Sequence, residues 1–488
     1  MRFERQANFL IGAAYAWAVA NCVYVYLIAN RAKSYRLETA TLILVAVLLP
    51  GAFVSKRFDN SQRQWSRAQR TLVVGLAAAA WSATLVPLLR FSFLSDDYVF
   101  LERYRSFHGA LMPQYFFRPA FSILFWLANR VGDGSPMPFH LLSLVLHVAS
   151  SMCVYVLARR LLFGNAPATL AAIIFLLNPL QLEASLWISG LQEELWTFFL
   201  IAASVVYVAR EDVTIGRVMA AAALAGLALL SKETAGCFVL VFLTLDLLLR
   251  RLRARFLGIV AYAIFTGELV LYLWLRSHFA STIDRQIAVT PSRYFFKQFL
   301  TTPYRAFAFP WNAEALDVPA VVMCTIAIAL LTAVAIACRR RAWPLLGGAA
   351  IILITTAPLA GYFYVGADLS SARYLYFAAV GWAFIMSELI IRTLRRPAAQ
   401  VTVGVALTLA LAVALRGNLR PWQTAGQMIH ALDSELQQGS SPADVFDDWR
   451  TRHGVALRFN AAGLPDNYHG VYIFRNGYPE YLRIRQAR

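Results

Sequence analysis

Two adjacent carboxylates, Asp96 and Asp97, follow directly on an apolar stretch, residues 71–89, that is long enough to cross a bilayer. Carboxylates are costly to place at the mouth of a membrane span, so the pair indicates a functional site. A carboxylate there could act as a general base that deprotonates a hydroxyl group. The alternative is structural: Asp96 caps a short helix starting at Tyr98, and Asp97 is solvated near its N-terminus.

Further ionisable side chains lie inside or at the edges of apolar stretches, where each must be paired or hydrated. Those expected on the same side as the acidic pair are Arg118, Glu183, Glu193, Glu194, Lys232, Glu233, Asp368 and Arg373. Arginine and lysine can bind a phosphate and stabilise it as it leaves with the charge. Two structural alternatives stay open, because Lys232-Glu233 could pair at a helix end and Glu193-Glu194 could begin a helix whose dipole favours acids.

His140 and His147, seven residues apart, lie on one face of a predicted span. They are either ligands in a site or hydrogen-bonded packing residues, and the pattern does not choose between these. The five cysteines show neither metal-ligand nor disulfide spacing.

The composition predicts a polytopic membrane protein. Hydrophobic residues make up 59% of the 488 residues and charged residues 15%, against roughly a quarter charged in soluble proteins. The net charge is +18, and the basic residues concentrate in short loops between apolar spans. No basic patch interleaved with aromatic residues remains, so no nucleic-acid partner is expected.

Hydropathy predicts about thirteen spans. They lie near residues 8–29, 39–55, 71–90, 137–160, 166–181, 192–209, 217–231, 235–250, 256–275, 318–338, 342–360, 373–392 and 399–416. The basic residues lie in alternate loops of this count, so they all fall on one side of the membrane, which is the cytoplasmic side. This predicts a cytoplasmic N-terminus, an external C-terminus and outward-facing carboxylates at Asp96 and Asp97.

Three regions follow from this pattern. Residues 1–70 hold two extra spans, residues 71–416 the membrane core, and residues 417–488 a small external α/β domain. Its β-rich runs are residues 455–459 and 470–485. The two long external loops, residues 90–137 and 276–318, are rich in aromatic residues and predict helices that lie in the membrane interface.

Several ordered motifs resemble the GT-C superfamily of polytopic glycosyltransferases, in particular its protein O-mannosyltransferase-like branch (glycosyltransferase family 39) and the tetratricopeptide-associated transmembrane mannosyltransferases. The motifs are Asp96-Asp97-Tyr98, Phe117-Arg118-Pro119, Phe139-His140 with His147, Asn178-Pro179 with Glu183 and Gly190, Ser231-Lys232-Glu233, Arg373-Tyr374-Leu375-Tyr376, and Asn418 with Trp422. They span about residues 90 to 425 in family order. Asn178 and Gln181 stand where members often have histidines, and Leu191 replaces a common arginine.

The resemblance implies an all-α, GT-C-like bundle that transfers a sugar from a polyprenyl-phosphate donor to an unidentified hydroxyl acceptor, with inversion, at the outer face of a bacterial inner membrane. By resemblance, Asp96 is the general base, Asp97 orients it or contacts the acceptor, and Glu183 is a second acid. The phosphate candidates are Arg118, Lys232 and Arg373, and the further site candidates are His140, His147 and Glu233. No metal ligand and no cofactor is assigned, and the need for a divalent metal is left open. The alternatives are a transporter or flippase of lipid-linked saccharides and a non-catalytic, lipid-binding scaffold.

Overall fold

A computed structural model describes residues 63–94, 96–111, 116–162, 164–210, 213–249, 256–279, 343–359, 371–394 and 396–437. This part of the chain consists of α-helices, short 3₁₀ turns and their connections, without a strand. The predicted all-α membrane fold class is therefore confirmed for the described residues. The two N-terminal spans, the loop that contains Asp368 and the β-rich runs after residue 454 lie outside them.

The α-helices, in chain order, are α1 (Arg67–Leu85), α2 (Asp96–Arg103), α3 (Phe107–Leu111), α4 (Pro119–Gly132), α5 (Met137–Leu161), α6 (Asn165–Leu176), α7 (Gln181–Leu186), α8 (Leu191–Val208), α9 (Ile215–Ser231), α10 (Phe238–Leu249), α11 (Phe256–Phe279), α12 (Trp343–Thr356), α13 (Ala378–Thr393) and α14 (Pro397–Gln437). The 3₁₀ turns are Val86–Arg90, Ile188–Gly190, Glu233–Cys237, Ala357–Leu359 and Ala372–Leu375.

Each predicted span within the described residues coincides with a helical segment. Five of these segments are long and apolar enough to cross a membrane: Arg67–Leu89, Met137–Leu161, Ile188–Val208, Phe256–Phe279 and Pro397–Leu419. Shorter apolar helices cover Asn165–Leu176, Ile215–Ser231 and Pro344–Thr356. The chain is thus a multi-pass membrane protein, while the count of about thirteen spans stays a prediction.

The predicted interfacial segment around residues 120–127 is a helix, α4, which begins at Pro119 where the missing N–H needs no partner. Helix α14 continues from the last predicted span to Gln437. Its 41 residues extend over roughly 60 Å at 1.5 Å per residue, so it is longer than a bilayer is thick. The polar stretch after residue 416 therefore begins as a continuation of the membrane helix.

The bundle has two ends, which are built from alternating helix termini. Helix α5 packs against α6 and α8, α8 against α9, and α13 against α6 and α12. Small residues allow the closest of these approaches, because a Cβ on Gly381 of α13 would lie 2.3 Å from the carbonyl oxygen of Gly348 on α12.

One end, here called the basal end, is where α1, α6 and α14 begin and α5 and α13 finish. Arg63 binds both carboxylate oxygens of Glu388 at this end, and Glu388 also accepts a hydrogen bond from Arg392 at 2.5 Å. The Trp65 side chain donates to Gln400 at 3.0 Å, which ties the start of α1 to α14. The described arginines of the predicted basic loops lie at the basal end, each within four residues of a helix terminus: Arg63, Arg67, Arg70, Arg159, Arg160, Arg392 and Arg396. The other end, the site end, carries the residues described next.

Candidate functional site

The acidic loop, here residues 91–94 together with Asp96 and Asp97 at the start of α2, follows the 3₁₀ turn after α1. Helix α2 begins at Asp96, two residues before the capping alternative would place it. The side chain of Asp96 lies outside the described part of the structure. Asp97 is fully buried, and its Oδ2 accepts a hydrogen bond from the Leu94 N–H at 2.8 Å. Its Oδ1 accepts from the Ser189 N–H at 2.6 Å and from the Ser189 hydroxyl at 2.5 Å.

Two more side chains hold the backbone of the acidic loop. The Trp187 Nε1–H donates to the Leu94 carbonyl oxygen at 3.1 Å. His140 Nε2 lies 3.0 Å from the Phe91 carbonyl oxygen and acts as the donor there, because a carbonyl oxygen can only accept. His140 is thus a hydrogen-bonded residue behind the loop, as one of the two sequence-based interpretations expected.

Arg118, the residue before α4, forms a two-pronged ion pair with Glu233. Its Nε and Nη2 lie 2.8 and 2.5 Å from the two carboxylate oxygens, and its Nη1 donates to Gln192 at 2.5 Å. Burial alone would raise the pKa of Glu233, but the charges of Arg118 and Lys232 outweigh it and hold the pKa at about 2. Glu233 is therefore charged, and its bidentate bond with Arg118 fixes the orientation of the guanidinium plane.

Lys232 leaves the end of α9 in an extended conformation and pairs with Glu193 at the start of α8. Both side chains are buried, at 3% and 1% exposure. Glu193 also accepts a hydrogen bond from the Trp196 indole at 2.5 Å. Burial lowers the pKa of Lys232 to about 8, against the opposing effect of Glu193.

Arg373, in the 3₁₀ turn before α13, binds Glu183 of α7 through its side chain. Glu183 also accepts from the backbone N–H groups of Arg373 at 2.9 Å and Ser371 at 3.3 Å. Ser371 has a left-handed backbone conformation, with φ of 65°, that turns the chain toward this carboxylate. Burial raises the pKa of Glu183, and its bonds to Arg373 oppose that shift.

Two aromatic rings contact the cations Arg373 and Lys232. The Tyr374 ring centroid lies 4.5 Å from the Arg373 guanidinium and 4.6 Å from the Lys232 ammonium. The Trp187 ring centroid lies 4.6 Å from the same guanidinium. These distances are those of cation–π contacts. Because Trp187 also donates to the acidic loop, the loop, Arg373 and Lys232 belong to one connected cluster.

Seven of the residues singled out from the sequence thus meet at the site end. They are Asp97, Arg118, Glu183, Glu193, Lys232, Glu233 and Arg373. His147 lies deeper, where it contacts the Tyr376 hydroxyl at 2.5 Å and donates to the Leu176 carbonyl oxygen at 3.0 Å. Its ring packs against Trp81 and Phe175, which favours the packing interpretation for this histidine. The chemical roles of these site residues, including His147, stay predictions.

Glu194 is separate from the cations. It is fully buried on α8 and accepts a hydrogen bond from the Ser185 hydroxyl at 2.5 Å. Within the described ranges, no group of three or more histidine, cysteine or acidic side chains could hold a metal ion.

Sequence reasoning assigned no role to Trp187, Ser189, Gln192 or Tyr374. Trp187 and Ser189 lie between Glu183 and Gly190 of one quoted motif, Tyr374 lies within another, and Gln192 lies two residues after Gly190. An aromatic residue beside an arginine, as in Arg373-Tyr374, was the available signal, because such pairs often form cation–π contacts. Nothing local marks Ser189 as a partner of Asp97.

Residues 117–275 match a protein-family profile described as dolichyl-phosphate-mannose-protein mannosyltransferase. The predicted resemblance is thereby confirmed over the range that holds Arg118, His140, Glu183 and Lys232. A protein O-mannosyl-transferase of Caenorhabditis elegans is 27% identical over 158 residues, which are 31% of this chain and 22% of that protein. This chain therefore spans only about a fifth of that relative's length.

Two solved structures are similar in shape. ArnT from Cupriavidus metallidurans bound to undecaprenyl phosphate aligns with a TM-score of 0.43 at 16% identity, covering 77% of this chain and 73% of ArnT. The archaeal oligosaccharyltransferase AglB from Archaeoglobus fulgidus, in complex with an inhibitory peptide and a dolichol-phosphate, aligns with a TM-score of 0.43 at 12% identity, covering 84% of this chain and 62% of AglB.

Proposed function

We propose that this chain is a GT-C-type membrane glycosyltransferase that moves a sugar from a polyprenyl-phosphate-linked donor to a hydroxyl acceptor. One observation carries the proposal: the buried Arg118 and Lys232 and the partly buried Arg373, each paired with its own carboxylate, lie at the same end of an apolar helix bundle as the acidic loop. The family match supports it, because the matched range supplies two of these cations, Arg118 and Lys232.

The cations suit the phosphate of the donor. When the bond between sugar and phosphate breaks, the phosphate leaves with an added negative charge, and preorganised cations in a site that excludes water stabilise that charge. The Arg373 side chain is the most exposed of the three, at 14% against 8% for Arg118 and 3% for Lys232. Arg373 therefore contacts the donor phosphate directly, with Arg118 and Lys232 completing the positive surface around it.

Asp96 is the general base in this proposal. It is the first residue of α2 and adjoins Asp97, whose two oxygens already accept hydrogen bonds from the protein. A single base that activates the acceptor for direct displacement inverts the configuration at the sugar, by analogy with inverting glycoside hydrolysis. The acceptor proton goes to the Asp96 carboxylate, the acceptor oxygen bonds to the sugar carbon, and the polyprenyl phosphate departs.

The carboxylates among the cations have a different task. Glu183, Glu193 and Glu233 each bind one cation. Bonds of this kind fix side-chain orientation and lower the cost of burying the charge. Glu183, predicted as a second acid, is in this arrangement the residue that positions Arg373.

The placement of the site at the outer face of a bacterial inner membrane is part of the proposal. The arginines of the predicted basic loops lie at the basal end, opposite the acidic loop, and basic residues concentrate on the cytoplasmic side of membrane proteins. An outward-facing site has no access to cytoplasmic nucleotide-sugars, which favours a lipid-linked donor.

The test uses cells with and without the chain, followed by mass spectrometry of their surface glycans. A glycan that is lost without the chain, and restored by the wild type but not by Arg373→Gln at equal protein level, is the expected result. Full restoration by Arg373→Gln would argue against the phosphate site. Lipid-linked saccharide that crosses the membrane in proteoliposomes without sugar transfer would favour a transporter instead.

A further inference from the structure

The segment Trp187–Ser189 contacts two parts of the site, the acidic loop and the cation Arg373. Ser189 donates two hydrogen bonds to Asp97, and Trp187 donates one to the carbonyl oxygen of Leu94. The same Trp187 ring lies against the guanidinium of Arg373. This short segment is therefore a direct link between the acidic loop and the most exposed cation.

The link is rigid because the turn it belongs to packs tightly on α7. A Cβ on Gly190 would lie 2.9 Å from the carbonyl oxygens of Glu183 and Ala184. Residues 188–190 thus lie directly on the helix that carries Glu183, and Glu183 in turn holds Arg373. A shift of the turn would move the acidic loop and the cation together.

Asp97 uses both carboxylate oxygens in this arrangement. Oδ2 binds the Leu94 N–H on the loop side and Oδ1 binds Ser189 on the turn side. Protonating Asp97 would weaken these bonds, so its geometry suits a fixed anchor more than a base that cycles its proton.

We infer that Ser189 and Trp187 are positioning residues that set the distance between the Asp96 carboxylate and a donor phosphate held at Arg373. This inference rests on the proposed function. It assigns Asp97 as the anchor through which they act, and it leaves Asp96 as the group that takes the acceptor proton.

Two variants each remove one side-chain hydrogen bond of the link without removing charge. Trp187→Phe deletes the indole N–H bonded to Leu94 but keeps an aromatic ring beside Arg373. Ser189→Ala deletes the hydroxyl bonded to Asp97, and Ser189→Thr keeps a hydroxyl there. The matched control is Ser204→Ala. Ser204 is also buried on the same span, and among the described residues its hydroxyl bonds within its own helix, to the Leu200 carbonyl oxygen at 2.8 Å.

The first readout is sugar transfer from a polyprenyl-phosphate donor by the purified full chain in lipid nanodiscs. Misplacing a reacting group by about 1 Å can cost on the order of 100-fold, so we expect kcat to fall by about 10-fold to 100-fold in Trp187→Phe and Ser189→Ala. The donor KM should stay within about twofold, because Arg373 and its partners are intact, and Ser189→Thr should recover most of the rate. An unchanged kcat in Trp187→Phe, or an equal loss in Ser204→Ala, would overturn the inference.

The second readout does not depend on activity. Hydrogen exchange of the peptide covering residues 91–100 should quicken in Trp187→Phe and Ser189→Ala and stay as in wild type in Ser204→Ala. Unchanged exchange in both variants would show that the segment does not hold the loop and would overturn the inference. Faster exchange in a chain whose wild type transfers no sugar would instead contradict the proposed function while leaving the anchor in place.

Discussion

The buried pair of Lys232 and Glu193 can be broken from one side by the variant Lys232→Met. Methionine has a similar length but no charge, so Glu193 would be left buried with the Trp196 indole as its remaining described donor. Removing one partner of a buried ion pair costs about 3–5 kcal/mol of unfolding free energy. The exposures of 3% and 1% place this pair in that class and not among surface pairs, which contribute about 0–1 kcal/mol.

A second substitution separates loss of the pair from loss of packing. Glu193→Gln removes the charge but keeps an oxygen that can accept from Trp196. We expect the double variant Lys232→Met/Glu193→Gln to regain at least half of the stability lost in Lys232→Met, because no unpaired charge remains. The exposed cation Arg210 provides a control, since Arg210→Met should change stability by no more than about 0.5 kcal/mol.

The assay is reversible denaturant unfolding in detergent micelles, followed by tryptophan fluorescence and circular dichroism. Two results would refute the reasoning: a loss below about 1 kcal/mol in Lys232→Met, or a loss in the double variant equal to the sum of the single losses. Either would mean that the two side chains are hydrated and independent.

Three further predictions concern the remaining charges. Arg118→Lys keeps the charge but loses the bidentate bond to Glu233, so the affinity for a fluorescent polyprenyl phosphate should fall by about 10-fold. Unaltered affinity would contradict this prediction. Because the pKa of Lys232 is lowered to about 8, its cation is lost as the pH rises through that value, and donor affinity should fall between pH 7 and 9 in wild type but not in Lys232→Met. Glu388→Leu at the basal end leaves two buried arginines without their carboxylate, so it should cost about 3–5 kcal/mol of unfolding free energy. The donor KM of the folded fraction should be unchanged, and a changed KM would show that the basal end is coupled to the site.

The helices were largely predictable because apolar spans of membrane length have few alternatives to a helix in lipid. The residues of the site were also predictable one by one, since an ionisable side chain at a span edge needs a reason to be there. Arg118, Lys232 and Arg373 were found in this way.

Their partners were not predictable from local sequence. The ion pairs of the site join residues separated by 115, 39 and 190 positions in the chain. Such contacts depend on how helix ends meet, which hydropathy does not specify. The sequence therefore predicted that Glu183 belongs to the site. Its bonds to Arg373 could be found only from the folded structure.

The anchoring role of Asp97 shows the same limit. By resemblance Asp97 orients Asp96 or contacts the acceptor, and the contact with Ser189, 92 residues further on, appears only in the fold. A hydroxyl beside a glycine carries no local sign that it will bind a distant carboxylate.

The central claim is that Asp96 deprotonates the acceptor for sugar transfer from a polyprenyl phosphate. The most direct measurement is single-turnover transfer of a labelled sugar by purified wild type and Asp96→Asn, at matched amounts of folded protein. Asparagine keeps the shape but cannot take the proton, so the rate should fall on the order of 10²–10⁴-fold while donor binding persists. Transfer at the wild-type rate by Asp96→Asn would contradict the account, because a helix-capping aspartate is replaced by asparagine with little loss.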